Sequence, residues 1–281
     1  MNTNSNAYTV IYTALVVVVV AAVLAFTAMK LKPSQDANAK AETLRQMMSA
    51  AQIMPTDELY ATKNAGVLQL YADNIDRAYT IGLDGSQNGT LSTDKASIEL
   101  VDNLKPQDKA IKNGGDATLP VYVFKSGVAV IPVYGAGLWG PIWGYVAFQP
   151  DGKTIAGAYF DHDSETPGLG AKIKDEAWFR EGFIGKQVDF GSDEPFVLAK
   201  NAANTRGPKG VDAITGATMT SKGLGEAIGV WFEAYKPYFA ANGGTAGDCC
   251  GQDCCGQDCS GACEGDVMVC CDEETTNNEE E

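Results

Sequence analysis

Asp212-Ala213-Ile214-Thr215-Gly216-Ala217-Thr218-Met219-Thr220-Ser221 sets several hydroxyls beside the two smallest residues. Gly216 and Ala217 leave the backbone unshielded, so a bulky anion such as a phosphate can approach the N–H groups and the hydroxyls of Thr215, Thr218 and Thr220. Leu224, Ala227, Ile228, Trp231, Phe232 and Tyr235 then recur at the spacing of an amphipathic helix, which Pro237 is expected to stop. The hydroxyls sit at the N-terminus of that helix, where unpaired N–H groups and the helix dipole favour negative charge. The pattern points to a phosphate site. It also fits ordinary N-capping by Ser and Thr, and spacing alone does not choose between the two.

Upstream, Val121-Tyr122-Val123-Phe124, the Lys125-Ser126-Gly127 turn and residues 128–133 read as a β-hairpin of β-branched and aromatic residues. A second hairpin pairs residues 145–148 with 155–160 around Pro150-Asp151-Gly152. Between them, Gly135 to Gly144 holds four glycines around Trp139 and Trp143, a backbone that bends sharply while presenting flat faces suited either to a ring ligand or to plain packing. His162-Asp163-Ser164-Glu165-Thr166-Pro167-Gly168-Leu169-Gly170 follows as a rigid loop with exposed N–H groups. His162 is the only histidine, which disfavours a histidine-rich metal site. Residues 175–181 read as a short helix, whereas residues 55–119 are polar, punctuated by Gly and Asn, and carry no chemical signal. The expected fold is α+β, a mainly antiparallel sheet with packed helices, closed by the helix after Thr218.

Taken in order, Gly137-Leu138-Trp139-Gly140, His162-x-x-Glu165-Thr166-Pro167-Gly168-Leu169-Gly170 and Asp212-x-x-Thr215-Gly216-Ala217-Thr218 resemble the NqrC family, the FMN-binding subunits of the sodium-translocating NADH:quinone reductases. The resemblance runs from about residue 8 to 240. It implies that Thr218 carries FMN through a phosphoester bond installed by a separate flavin transferase, with Thr215, Gly216 and Ala217 lining the phosphate. It places Trp139, Glu165, Thr166 and Leu169 against the ring system and Lys200 at the phosphate or ribityl end. The implied activity is electron relay from NADH towards quinone, coupled to sodium export, alongside other subunits of the complex. NADH oxidation and quinone reduction would lie on those subunits: no dinucleotide-type G-x-G-x-x-G with a suitable acidic residue is present. No residue is assigned a catalytic role. The related flavin subunit of the Rnf electron-transport complex shares the threonine signature and the single anchor, and is the alternative; the Gly137–Tyr145 stretch favours the quinone reductase.

The 281 residues divide by composition into an apolar anchor (1–35), a mixed globular domain (36–240) and a Cys-rich acidic tail (241–281). Tyr8 to Ala28 runs without a charge and as a helix spans roughly 31 Å, enough for a bilayer core. The absence of Lys or Arg before it and of an A-x-A site after it favours an anchor over a cleaved signal peptide. Leu44, Met47, Met48 and Ala51 suggest a separate short amphipathic helix beyond the anchor. Lys30, Lys32, Lys40 and Arg45 follow the span, so the positive-inside tendency alone would leave the large domain in the cytoplasm. The resembling subunits sit in the inner membrane with that domain on the periplasmic side, and long domains translocate largely regardless of nearby charge.

All eight cysteines lie between Cys249 and Cys271, in a three-fold pentapeptide repeat followed by Cys263 and Cys270-Cys271. Cys249, Cys250, Cys254 and Cys255 are the candidate ligands for a soft metal or an Fe–S cluster, the basis of a third reading as a membrane-tethered metal-binding protein. The tail reads equally as a solvated acidic segment. Residues 248–281 hold 11 acids and no base, leaving 25 acids against 21 bases, a charge of −4, elsewhere. No basic patch suggests nucleic acid.

Overall fold

A computed structural model gives the structure of residues 6–242, apart from residues 102 and 193. The tail cysteines, and with them the metal reading, lie outside these described residues.

The apolar run does not end in a break. Helix α1 (Asn6–Ala50) continues through Pro33, so the anchor and the expected separate amphipathic helix are one element. Residues 9–39 are exposed, about 46 Å of helix. Ala41, Leu44, Met47, Met48 and Ala51 are buried. A proline inside a helix costs about 3 kcal/mol; burying several large apolar side chains, at about 1.5–3 kcal/mol each, offsets it.

The polar stretch contains more structure than its composition announced: helices α2 (Thr56–Ala61) and α3 (Asn64–Asn74), strands β1 (Ile75–Ile81) and β2 (Gln87–Leu91), and helix α4 (Leu104–Asn113). The two hairpins follow as β3 (Leu119–Phe124), β4 (Ala129–Ala136), β5 (Pro141–Phe148) and β6 (Ile155–His162). These six strands form one antiparallel sheet in the order β2-β1-β3-β4-β5-β6. At the β5–β6 turn the Asp151 carboxylate accepts from the N–H groups of Lys153 and Thr154 at 2.9 and 2.8 Å. Together with the Thr154 hydroxyl these outweigh the upward push of burial and hold the Asp151 pKa below the usual carboxylate value. The expected helix over residues 175–181 is two, α5 (Lys172–Asp175) and α6 (Ala177–Glu181), because Glu176 between them is extended. A parallel pair, β7 (Val197–Ala199) and β8 (Gly210–Asp212), flanks α7 (Ala202–Thr205) and leads into α8 (Thr218–Asn242).

Alternation along the strands sends side chains into two cores. Ile142, Val146 and Phe148 of β5 join Leu224, Ile228, Trp231, Phe232 and Tyr235 of α8 on one face. Tyr145 and Ala147 join Leu44, Met47 and Met48 of α1 on the other, with Leu59, Val67 and Tyr71 from α2 and α3. Helices therefore cover both faces of an antiparallel sheet. Pro237 does not stop α8. Phe239 beyond it packs on Phe148 at 4.5 Å between ring centroids, and the Tyr238 hydroxyl shares a 2.7 Å hydrogen bond with that of Tyr79. This burial outweighs the lost backbone bond.

The last turns of α1 fix the direction of its apolar span. Gln46 donates to Asp161 near the end of β6 at 2.9 Å, while the Ala50 carbonyl lies against Gly157, nearer the start of that strand. Followed back towards its apolar span, α1 runs past the end of the sheet where β6 finishes and β4 turns into β5.

Candidate functional site

Three segments converge at that end of the sheet. The first is the β4–β5 turn. The sharp bend expected within the glycine-rich stretch is Gly137–Gly140, which connects β4 to β5, and the residues on either side belong to those strands. The Gly137 N–H closes it on the Gly140 carbonyl at 2.8 Å. Leu138 and Trp139 stand at the tip, 51% and 67% exposed.

The second is the loop after β6. The Thr166 carbonyl accepts from Leu169 N–H at 3.1 Å and from Ala171 N–H at 3.2 Å, which coils the loop and leaves the Leu169 side chain outside, 44% exposed. Gly168 takes a positive φ of 75° within this coil, a conformation glycine adopts without strain. His162 is part of the scaffold: its Nδ1 accepts from the Glu165 N–H at 3.2 Å.

The third is the entry to α8. Its first helical residue is Thr218, so the α8 N–H groups without an intrahelical partner are presented beside the exposed Thr215, Gly216 and Thr218. Gly216 has φ +86°, and a Cβ on it would lie 3.2 Å from Leu169 Cδ2, so the second and third segments touch. The Ser221 hydroxyl accepts from Ile214 N–H at 3.0 Å and fixes the entry turn. Ala217 is buried beneath the turn.

Thr220 departs from the sequence expectation. It is 2% exposed and its hydroxyl donates to Glu165 Oε2 at 2.6 Å, so only Thr215 and Thr218 of the hydroxyl cluster face outward. Glu165, which the resemblance places against the ring system, is instead 5% exposed and lies under the site, its Oε1 accepting the Trp139 N–H at 2.9 Å. Lys200 is exposed at the end of β7, where Ala199 pairs with Asp212 and its carbonyl accepts from Ala213 N–H at 3.0 Å. It therefore borders the segment leading to Thr215. Thr166 is exposed on the second segment.

Two features escaped the sequence reading. Met219, beside Thr218, is 57% exposed and adds a fourth apolar side chain to Leu138, Trp139 and Leu169; an outward Met in the first turn of a helix otherwise buried was the available signal. The second is a polar network under the site: Asp161 Oδ2 accepts from Gln46 at 2.9 Å and from Lys174 at 2.8 Å, and Asp161 Oδ1 accepts the His162 N–H at 2.8 Å. Partial burial alone would lower the pKa of the Lys174 ammonium, but the hydrogen bond and charge of Asp161 outweigh it and the pKa is raised. No group of three or more candidate metal ligands occurs among the described residues. A groove of about 420 Å³ lined by Arg77, Lys125 and Tyr238 opens at the opposite end of the sheet, at the β3–β4 and β5–β6 turns, and shares no residue with this cluster.

A turn of exposed Trp and Leu, a coiled glycine loop and a Thr-Gly-Ala-Thr helix entry, held on an antiparallel sheet, all lie within residues 137–233, the stretch that the FMN-binding domain family matches. The chain is similar to the C subunits of the Na(+)-translocating NADH-quinone reductases, proteins of an oxidoreductase complex. It is 29% identical over 259 residues to the C subunit from Haemophilus ducreyi, covering 88% of this chain and 98% of the relative. The crystal structure of the C subunit from Parabacteroides distasonis superposes with a TM-score of 0.61 at 27% identity, covering 74% of this chain and 96% of the other. NqrC of Shewanella oneidensis gives 0.58 at 28%, covering 73% and 98%.

Proposed function

We propose that this chain is the membrane-anchored, covalently FMN-carrying NqrC subunit of a Na+-translocating NADH:quinone reductase, passing electrons from NADH towards quinone while the complex exports sodium. The observation that carries the reading is the exposed Thr218 at the first position of α8, set among exposed Leu138, Trp139, Leu169 and Met219. These residues fit FMN part by part. The helix N-terminus and the Thr215 and Thr218 hydroxyls suit the phosphate, Thr218 being the residue for the phosphoester, with Gly216 and Ala217 allowing close approach. Trp139 and Leu169 offer flat and aliphatic faces to the ring, with Thr166 beside them, and Lys200 borders the phosphate or ribityl end. Bound FMN supplies reversible electron storage, and the chain holds and orients it.

The functional division is anchor, FMN-binding domain and tail at residues 1–35, 36–240 and 241–281, although α1 crosses the first boundary. The apolar span fits a single-pass inner-membrane helix with the domain on the periplasmic side, and a flavin transferase and the other complex subunits are its partners. The test is in-gel flavin fluorescence after denaturation, with the chain produced alongside the transferase. Fluorescence in wild type and its loss in Thr218→Ala support the reading; a dark wild-type band refutes it. The subunits that co-purify identify the complex, and protease access from outside the inner membrane tests the topology.

A further inference from the structure

Each of the three converging segments carries outward-facing residues of the site, and one buried side chain joins all three segments. Glu165 belongs to the loop after β6, accepts from the backbone of the β4–β5 turn at Trp139 through one oxygen, and accepts from Thr220 in the first turn of α8 through the other. Its surroundings are built around the carboxylate. A Cβ on Gly137 would run into Glu165 Oε1, and one on Gly170 into Glu165 Oε2, so a larger residue at either position would displace the carboxylate. None of the ion pairs among the described residues includes Glu165. Both bonds use it as an acceptor, as an ionised carboxylate does, and bonds of that kind are shorter and stronger than neutral ones.

We infer that Glu165 is a positioning residue that sets the environment of the bound flavin without contacting it. It ties the turn that carries Trp139 to the helix entry that carries Thr218, and it places a negative charge beneath the ring. The inference rests on the FMN reading above for its second half. The tie itself does not require FMN. A negative charge under the ring opposes the arrival of electrons, so removing it favours reduction.

The experiment compares Glu165→Gln and Glu165→Ala in the full-length protein, with and without co-production of the transferase. Glutamine keeps the tie, its carbonyl accepting from Trp139 N–H and its amide donating to Thr220 Oγ1. Glu165→Gln is therefore expected to fold, to load FMN covalently, to exchange the backbone amides of residues 136–141 at the wild-type rate, and to show an upward shift in flavin midpoint potential. Glu165→Ala is expected to exchange those amides about five-fold faster or more, the loss of one net hydrogen bond. Unchanged exchange in Glu165→Ala overturns the tie, and a potential in Glu165→Gln equal to wild type overturns the electrostatic half. If Glu165→Ala fails to fold, Thr220→Val cuts one of the two bonds and is read by the same exchange measurement. Wild-type protein that carries no covalent flavin refutes the FMN reading and the electrostatic half with it, and exchange in the unloaded protein still decides the tie.

Discussion

Gly223→Ala and Gly229→Ala make the same chemical change in the same helix and are expected to move stability in opposite directions. In an exposed helix interior Gly→Ala gains about 1 kcal/mol. At Gly229 nothing lies within 4 Å of the new methyl, so the gain should appear nearly whole, about 0.5–1 kcal/mol. At Gly223 the methyl would be driven into the Ala136 carbonyl oxygen, with the carbonyl carbon 3.2 Å away and Gly137 Cα at 3.6 Å. That oxygen is backbone, in a β4 residue paired with Pro141, and cannot rotate aside as a side chain would. Overpacking of this kind costs about 1–3 kcal/mol, which cancels the helix gain and leaves a net loss of up to about 2 kcal/mol. The two variants should therefore differ by about 1–3 kcal/mol, with each kcal/mol moving Tm by about 2–4 °C in a protein of this size. Thermal unfolding of the detergent-solubilised chain measures the gap. Because Gly223 and Thr218 share α8, relief of the clash shifts the helix entry against the β4–β5 turn, and in-gel flavin fluorescence should fall in Gly223→Ala alone. If Gly223→Ala is as stable as Gly229→Ala, α8 does not rest closely on β4 and the site is not held by that contact.

The Lys174–Asp161 pair predicts a pH dependence. A base whose pKa is raised on folding gives stability that is fully present below its unfolded value, about 10.4, and lost as pH rises through the folded value. Thermal unfolding followed upward from about pH 9 should therefore show wild type losing its advantage over Lys174→Met, an advantage of no more than about 1 kcal/mol because the lysine is partly solvated; equal slopes would count against the pair. Truncation after Asn242 should leave the flavin band and electron transfer intact, whereas loss of tail-dependent metal together with activity would favour the metal-binding reading.

The parts of the fold legible in sequence are those where burial follows a simple period. Leu224, Ala227, Ile228, Trp231, Phe232 and Tyr235 announce one face of α8, and all six are buried. Both hairpins announce themselves through β-branched runs and turn residues. Pro237 misled because a local rule about backbone hydrogen bonds was applied where tertiary burial on the far side of the proline decides the outcome. In β1, Asp76 and Arg77 are both exposed and interrupt the alternation between Ile75 and Ala78; in β2, Gln87 to Leu91 lie at the sheet edge with no buried residue. Neither has a hydrophobic period to detect. At the site, residue type and order point to Thr218, but nothing local distinguishes an outward Thr218 from an inward Thr220. That difference comes from Glu165, 55 residues earlier, reaching the hydroxyl.

The continuity of α1 fixes the direction of its apolar span relative to the site. Ala28, at the end of the apolar span, and Gln46, which bonds Asp161, are separated by 18 residues of one helix, about 27 Å. A flexible connection of that many residues would let the domain wander over a comparable distance; a helix holds it to a narrow range. The grip continues into the site. Gln46 bonds Asp161, Asp161 bonds the His162 N–H, His162 accepts from Glu165, and Glu165 joins the turn at Trp139 to the turn at Thr220. The exposed apolar rim thus lies at the end of the domain from which the apolar span of α1 arrives, with few soft joints between them. For an electron carrier that is the relevant property, because fast transfer needs a short and constant gap to the next cofactor. On the proposed function, that cofactor belongs to a partner at or in the membrane, on the same side of the domain as the apolar span.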